Sequence, residues 1–233
     1  MLPLKDENPT DRTPYVTVAF IAANVLVWLV MQDAGGGAGF VDSLCRLGVI
    51  PAYLTGGLEA GETITLGRAT CRVGGSPALA TLTSMFAHGS WLHLIMNMWF
   101  LWVFGNNIED ALGPARFPFF YLLAGVAAVA AHVALSPDSA APMVGASGAI
   151  SGVMGAYLVL YPRAEVVTLI PIFVFFRILV LPAWVMLGLW FLYQAMQGVL
   201  LGGTGTGVAI WAHVGGFVAG LATVKLFALS LRS

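Results

Sequence analysis

Long apolar stretches, repeated along the whole chain, limit what this sequence can fold into. Charged residues make up only 9% of the 233 residues and hydrophobic residues make up 59%, whereas ordinary soluble domains are roughly 25% charged. The mean hydropathy is +0.88. Several stretches approach the roughly 20 residues that a helix needs to cross the apolar core of a bilayer. The sequence therefore predicts an all-α polytopic membrane protein.

Six segments are apolar enough to form membrane-spanning helices. They cover residues 15–32, 90–108, 117–135, 147–162, 182–201 and 208–229. We expect residues 1–14 to form a cytoplasmic N-terminal segment and residues 15–233 a single membrane domain, with a first loop over about residues 33–89. The first apolar segment lacks a convincing small-residue cleavage site, so we interpret it as a retained span and not as a signal peptide. Within the first loop, Val49–Leu58 is expected to form short interfacial helices.

One further apolar segment, Val166–Leu181, is short for a span. Pro171 and Arg177 interrupt it, and Pro182 follows it. We interpret it as an interfacial or re-entrant piece. A seventh crossing here would also place two polar residues considered below, Ser147 and His213, on opposite faces of the membrane.

The basic residues predict the orientation in the membrane. Seven of the ten lie in segments on the side of the N-terminus and three lie in the first loop. The first group is Lys5, Arg12, Arg116, Arg163, Arg177, Lys225 and Arg232, and the second is Arg46, Arg68 and Arg72. Because cytoplasmic segments are enriched in Lys and Arg, we expect the N-terminus to be cytoplasmic. The second, fourth and sixth spans then all begin on the outer side.

Two polar residues at the outer ends of these spans form a candidate catalytic pair. Ser147 opens the fourth span within Gly-Ala-Ser-Gly, and His213 opens the sixth. An imidazole can take the proton of a serine hydroxyl as the hydroxyl attacks. Taken alone, the serine also fits a helix-packing motif, and the histidine fits an interfacial residue satisfied by water. Their matched depth favours acyl-transfer chemistry.

Small residues accompany both members of the pair and predict that their helices pack closely. On the fourth span they are Gly148, Gly152 and Ala156, and on the sixth span they are Ala212, Gly216 and Gly220. Gly145 and Gly148 flank Ser147 and permit a tight turn with close approach of a substrate or a partner helix.

The second span carries candidate donors for an oxyanion. His93 and Asn97 are spaced i, i+4 and therefore share one helix face. Together with the backbone amide of Ser147 they are expected to stabilise a developing negative charge. His88 is expected to brace the loop before the span. A zinc site is the alternative, but the spacing of the two histidines is poor and no Glu completes a zinc-binding pattern.

Three further polar residues receive plain structural interpretations. His132 is assigned a packing or interfacial role. Glu109 and Asp110, toward the inner end of the second span, are interpreted as solvated or loop-bracing carboxylates.

Three separated motifs resemble the rhomboid family of intramembrane serine proteases. They are HGSWLHLIMNMWFLWVFGNNIE from His88, GASGAISG from Gly145 and AHVGGFVAG from Ala212. The similarity runs from about Leu82 to the C-terminus, and the motifs follow the family's order and spacing. The resemblance implies a six-transmembrane-helix bundle with a long first loop.

The resemblance also implies roles for individual residues. It makes Ser147 the nucleophile and His213 the general base, places His93 and Asn97 in the oxyanion hole, and gives His88 a supporting role. It further implies cleavage of transmembrane protein substrates near helix-destabilising sites rich in small residues. Substrate would enter laterally toward the fifth helix and the loop that caps the site, and no cofactor or metal would be needed.

The sequence departs from the family pattern in two places. Many relatives carry a Trp-Arg pair in the first loop where this chain has Leu79 and Ala80. The residue four after the nucleophile is often an aromatic that packs under the imidazole, whereas here it is Ser151. The anchoring of the first loop and the support of His213 are therefore open, and a hydrogen bond from Ser151 is one option for the latter.

Cys45 and Cys71 are the only cysteines, and both lie in the first loop. A disulfide between them is expected if the outer compartment oxidises thiols, and two free thiols are the alternative.

The sequence leaves two other functions to be weighed against proteolysis. One is a catalytically silent rhomboid relative that binds membrane clients, and the other is a small-solute transporter. The bilayer and transmembrane proteins are the expected partners, nucleic acid is not, and the oligomeric state is open. The short N-terminus favours a bacterial inner membrane, with the site facing the periplasm.

Overall fold

The computed structural model describes residues 1–172, 175–201 and 209–228. Its helices are α1 (Tyr15–Val30), α2 (Gly37–Leu47), α3 (Pro51–Leu54), α4 (Pro77–Thr83), α5 (Trp91–Leu112), α6 (Phe117–Leu135), α7 (Ser147–Leu160), α8 (Ala183–Leu201) and α9 (Ile210–Ala228). Its strands are β1 (Leu2–Asp6), β2 (Thr63–Leu66), β3 (Ala69–Arg72), β4 (Glu165–Ile172) and β5 (Phe175–Pro182). Residues 208 and 229 and Arg232, which the sequence analysis placed in or beside the sixth span, lie outside the described residues.

The long helices α1, α5, α6, α7, α8 and α9 form the bundle and correspond to the six predicted spans. Helices α5, α7 and α9 begin at one end of the bundle, which we call the cavity end, and α1, α6 and α8 begin at the other, which we call the far end. The predicted helical membrane bundle with a long first loop is confirmed. The strands, which the sequence analysis did not anticipate, form a three-stranded sheet in the order β1-β4-β5 and a two-stranded sheet of β2 and β3.

The helices differ in length and polarity. In the part of the chain that the structure describes, three are long and apolar enough to cross a membrane, namely α6, α8 and α9. Helices α1 and α7 are apolar but have 16 and 14 residues. At 1.5 Å per residue, α7 is only about 21 Å long, less than the roughly 30 Å of a bilayer core. Helix α7 is almost entirely buried among its neighbours.

The small-residue stripes pack α7 against α9 as predicted. A Cβ atom on Gly216 would overlap the carbonyl oxygen of Gly148, and one on Gly220 would overlap that of Gly152. Such close backbone approach requires glycine, since any larger side chain would push the helices apart. This contact brings the first turns of both helices together at the cavity end.

Within the segment Val166–Leu181, the described residues 166–172 and 175–181 pair as antiparallel strands and form no seventh helical crossing. Its strands β4 and β5 pair from Glu165 with Pro182 to Ile172 with Phe175, and β1 adds to the other edge of β4. Val, Ile and Thr favour strands, whereas Pro171 and Pro182 interrupt a helix. The chain therefore returns to the far end and starts α8 beside the end of α7.

The first loop is folded against the loop that precedes α7. Val49 and Met143 exchange two backbone hydrogen bonds of 3.0 and 2.7 Å, and the Ala52 N–H donates to Ser139 O at 3.0 Å. The predicted short helix within Val49–Leu58 is present only as the single turn α3. These contacts, without a Trp-Arg pair, hold the loop beside the cavity end.

Candidate active site

Ser147 and His213 meet at the cavity end. Ser147 Oγ lies 2.8 Å from His213 Nε2, a hydrogen-bond distance. The first turn of α7 presents the hydroxyl and the first turn of α9 presents the imidazole. The glycine contacts between these helices make the short distance possible.

The second ring nitrogen of His213 is also bonded. Nδ1 lies 2.9 Å from Gln194 Oε1, and Gln194 belongs to α8. One turn earlier, Trp190 packs beside the imidazole with 6.0 Å between ring centroids. The aromatic ring beside the imidazole thus comes from α8.

Ser151 does not hold His213. Its hydroxyl donates to the carbonyl oxygen of Ser147 at 2.7 Å, within α7. A serine in a helix commonly bonds the carbonyl four residues earlier because that acceptor is nearest. The option of a Ser151 hydrogen bond to the imidazole is therefore wrong.

A cavity of about 460 Å³ opens beside the pair. Its lining combines apolar residues of α5, α6 and α9 with a few polar groups, among them Ser147, His213, His93, Ser84 and Ser90. A largely apolar pocket with few convergent polar groups is typical of a binding site.

His93 lines this cavity from α5, whereas Asn97 is not among its described lining residues. The Asn97 side chain is 5% exposed, and its Nδ2 donates to His93 O at 2.9 Å. The structure thus brings His93, but not the Asn97 carboxamide, to the cavity. Their assignment to an oxyanion hole stays a prediction.

Gly145 and Gly148 fit tightly around the serine. Gly145 has φ of +127°, and a Cβ atom there would lie 2.7 Å from His93 Nε2. A Cβ atom on Gly148 would lie 2.6 Å from that of Ala128. Both positions therefore exclude larger residues, one beside the imidazole of α5 and the other against α6.

His88 is fully buried in the turn before α5 and packs edge-on against His93, with 5.1 Å between ring centroids. The side chain of Gln32 binds its backbone twice, accepting from the His88 N–H at 2.7 Å and donating to its carbonyl oxygen at 2.8 Å. Burial lowers the pKa of His88 to about 3, so its ring is neutral at ordinary pH. The sequence analysis missed this clamp by Gln32.

Cys45 and Cys71 lie together in the first loop. Their Cα atoms are 6.3 Å apart and the sulfur atoms are joined as a disulfide. Both side chains are buried in a small apolar cluster with Ile50, Ile64 and Val73. The pairing connects α2 to β3.

Glu109, Asp110 and His132 are not among the residues that line the cavity beside Ser147 and His213. Both carboxylate oxygens of Glu109 bind the start of α1, accepting from Val16 N–H at 2.9 Å and from Thr17 N–H at 2.7 Å. Asp110 accepts from Asp11 N–H at 3.2 Å. Both carboxylates brace neighbouring segments, which confirms their structural interpretation. His132 is buried within α6.

Among the described residues, no group of three or more His, Cys, Asp and Glu side chains could hold a metal ion. The polar groups at the cavity offer hydrogen-bond donors and acceptors. The arrangement can deprotonate a serine hydroxyl and receive an anion at the first turn of α7, where N–H groups lack partners within the helix.

Sequence reasoning missed Gln194, although a signal was present. Glutamine is rare at membrane depth unless it has a partner, and the same rule had singled out Ser147. The sequence gives no indication of which of the two glutamines of α8, Gln194 or Gln197, faces His213, because the rotation of α8 is set by packing.

Comparison with known proteins identifies the family. A model of the Rhomboid domain matches residues 75–230. The Rhomboid protease GluP of Bacillus subtilis is 31% identical over 145 residues, which are 62% of this chain and 24% of the relative. The mitochondrial Rhomboid protein 1 of Saccharomyces cerevisiae is 32% identical over 96 residues, which are 38% of this chain and 27% of the relative.

A further relative, RHOMBOID-like protein 4 of Arabidopsis thaliana, is 28% identical over 232 residues, covering 89% of this chain and 51% of the relative. The matched stretches thus span a quarter to a half of the length of these relatives. The family match covers most of the chain and agrees with the helical bundle. The chain is an integral membrane protein that belongs to the rhomboid family.

Proposed function

We propose that this protein is an intramembrane serine endopeptidase in which Ser147 is the nucleophile and His213 is the general base. The distance of 2.8 Å between Ser147 Oγ and His213 Nε2 carries the proposal. At this distance the imidazole can take the hydroxyl proton as oxygen attacks a peptide carbonyl, and can then give it to the leaving amine. The product of the first step is an acyl-enzyme, which water hydrolyses.

The oxyanion of the tetrahedral intermediate is proposed to lie between α5 and the start of α7. The backbone N–H of Ser147 points from a helix N-terminus, where a negative charge is favoured. His93 lines the cavity next to it. Asn97 uses one N–H on His93 O, and its carboxamide carries a second N–H that can donate. His88, Gly145 and Gly148 support this arrangement by packing.

Transmembrane proteins are the proposed substrates. Because α7 is short and buried, the serine lies within the thickness of the bundle, within reach of a chain that is itself embedded in the bilayer. The apolar lining of the cavity suits apolar or small side chains of such a segment.

We further propose that the protein resides in a bacterial inner membrane with a cytoplasmic N-terminus and a site that opens to the periplasm. The excess of basic residues in segments at the far end supports this orientation. A cysteine-labelling map with membrane-impermeant reagents, using single cysteines introduced in exposed loops, would test it. Labelling of the far end from the periplasm would contradict the proposal.

The central test compares Ser147→Ala with Ser151→Ala in purified protein reconstituted in liposomes. Both substitutions remove one hydroxyl from α7, one turn apart. We expect Ser147→Ala to abolish cleavage of a model transmembrane substrate and labelling by a fluorophosphonate, whereas Ser151→Ala retains both. Cleavage by Ser147→Ala at the wild-type rate would refute the assignment.

The same experiment separates the rival functions. A silent client-binding relative would retain the model substrate without cleaving it, and the wild type would resist the fluorophosphonate. A solute transporter would show flux in liposomes without labelling.

A further inference from the structure

Both ring nitrogens of His213 have partners, and this determines which nitrogen can act as base. To accept the Ser147 proton, Nε2 must carry a lone pair, so the ring proton must be on Nδ1. Gln194 Oε1 lies 2.9 Å from Nδ1. A carbonyl oxygen can only accept, and it therefore stabilises the tautomer that leaves Nε2 free to act as base.

Gln194 is fixed in place by the packing of α8 against α9. Residues Trp190, Gln194 and Gly198 are spaced four apart and lie on one face of α8. Trp190 packs against Phe217 with 6.0 Å between ring centroids, and a Cβ atom on Gly198 would lie 3.1 Å from the ring of Trp211. These contacts, on either side of Gln194, set the rotation of α8 that directs its carboxamide to the imidazole.

We propose that Gln194 is a positioning residue that completes a Ser147–His213–Gln194 relay. It orients the imidazole and selects its Nδ1-protonated tautomer in the ground state. In the transition state the carbonyl dipole stabilises the imidazolium, as an acidic partner does in other serine hydrolases, but without a full charge. The proposal rests on the proposed function of Ser147 and His213.

The relay also links the position of α8 to the base. Ser147 and His213 belong to α7 and α9, which pack through backbone contacts at their glycines. Gln194 belongs to a third helix, whose opposite face carries exposed apolar residues such as Leu192, Met196 and Val199. A displacement of α8 away from α9 therefore separates Gln194 from His213 while leaving the Ser147–His213 pair intact.

The test replaces Gln194 with Met, which has a similar length and removes the carbonyl acceptor. The control is Gln197→Met on the same helix, where the side chain donates to Tyr193 Oη at 2.8 Å. We expect Gln194→Met to lower kcat by about 10-fold to 100-fold, less than the loss of a general base itself, with KM nearly unchanged. The rate of inactivation by a small fluorophosphonate should fall by the same factor, and Gln197→Met should match the wild type.

Two further variants distinguish positioning from a loss of packing. Gln194→Glu restores an acceptor and should recover most of kcat. Its carboxylate stabilises the imidazolium, so the acid limb of the kcat profile should move to higher pH. His93 and His132 also act electrostatically on His213 from α5 and α6. Both are present in the wild type and in Gln194→Glu, so their effect on the pH profile cancels when the two are compared. Gln194→Ala, which lacks the acceptor, should remain as slow as Gln194→Met.

A readout that needs no proteolysis keeps the two proposals separate. Nitrogen-15 spectra of histidine-labelled protein distinguish protonated from unprotonated ring nitrogens, and His213→Ala assigns the signal. We expect an Nδ1-protonated His213 in the wild type and a mixture of tautomers in Gln194→Met. A wild-type kcat in Gln194→Met, or an unchanged tautomer, would overturn the role of Gln194 while leaving Ser147 as nucleophile. A wild type without cleavage or labelling would instead reject the proposed function.

Discussion

The two ends of the bundle both bury polar side chains within spans, but they arrange them differently. At the far end, Glu109 accepts from Val16 N–H, Thr17 N–H and the Thr17 hydroxyl, at 2.9, 2.7 and 2.8 Å. At the cavity end, His93 borders an open cavity of about 460 Å³, and the ring nitrogens of His88 have no hydrogen-bond partner among the described residues.

A second cluster of polar side chains at the far end is also hydrogen-bonded, as Glu109 is. The carboxylate of Asp6 accepts from Tyr157 Oη at 2.7 Å and from Asn107 Nδ2 at 2.6 Å, and Asn8 donates to Asn107 at 2.6 Å. Burial raises the pKa of Asp6 above its usual value, although both hydrogen bonds oppose that shift. These bonds connect the N-terminal segment to α5 and α7.

The comparison separates polar groups that hold helices together from polar groups that remain available to a ligand. A buried group whose bonds are all made stabilises one arrangement of helices and has little capacity left for a ligand. A group that lines a cavity keeps that capacity. Polarity at membrane depth thus marks both ends of this protein. Space alone does not distinguish the candidate active site, because Glu109 and Asp110 also border a cavity of about 340 Å³. The difference is that the oxygens of Glu109 are already bonded to the start of α1, whereas the cavity at the other end is lined by the hydrogen-bonded pair of Ser147 and His213.

The largest effect should come from His213→Ala at the cavity end. Loss of the base should reduce cleavage by about 10³-fold or more, since the hydroxyl then has no proton acceptor at hydrogen-bond distance. The Tm should change little, because the side chain borders a cavity. The matched control is His132→Ala on α6, measured in the same liposome assay. Equal loss of cleavage in both variants would remove the distinction between the two histidines.

At the far end, Glu109→Gln should lower stability and leave catalysis nearly unchanged, which is the opposite of the effect expected for His213→Ala. The amide presents N–H groups toward the N–H donors of α1, so we expect unfolding to become easier by about 2 kcal/mol. Asp110→Asn is the control, because it makes the same chemical change at the neighbouring residue. The Asp110 side chain is 19% exposed, and its carboxylate lies 4.0 Å from Arg12 Nε, at the limit of an ion pair.

Unfolding in mixed micelles measures this difference, and kcat at low temperature checks that the site is intact. We expect kcat of folded Glu109→Gln to remain within about twofold of the wild type. A large loss of kcat at full stability would mean that the far end takes part in the chemistry.

Asn97→Ala should slow the reaction without stopping it. If the carboxamide donates to the oxyanion, kcat should fall by about 10-fold to 100-fold while KM stays similar, because His93 and the Ser147 amide remain as donors. The measurement is steady-state cleavage of the model substrate. A rise in KM alone would instead assign Asn97 to substrate binding.

The smallest effect on catalysis should come from replacing Cys45 and Cys71 with Ser. The disulfide closes a sequence separation of 26 residues, and loops of this size gain about 3 kcal/mol from such a bond. We expect the loss to increase hydrogen exchange in the first loop and to leave the bundle unchanged. Non-reducing mass spectrometry of exported protein checks the bond itself, and two free thiols would contradict it.

Much of the fold could be predicted because each span has its own local signal. Apolar length identified the helices, and Pro171 with Pro182 excluded a seventh crossing. The glycines at 148, 152, 216 and 220 predicted the close contact of α7 with α9. The hairpin escaped prediction because an apolar segment of this length fits either a helix or a strand, and its pairing with β1 joins residues more than 150 positions apart.

The candidate site could be predicted only in part. Ser147 and His213 were found because polar groups at membrane depth need partners, and their common depth followed from the alternation of spans. The partners Gln32 and Gln194 were not found, because a glutamine contacts whichever group the helix rotation brings near. The same rotation directs the Asn97 carboxamide to its own helix in this structure.

By itself, the sequence determined that the chain spans a membrane, which polar residues are candidates for chemistry and which end of each span they occupy, since these follow from composition and from the order of residues along single helices. Only the tertiary structure decided which side chains touch. Those contacts depend on how each helix is rotated and how closely it packs, and both result from many small packing interactions summed over the whole bundle.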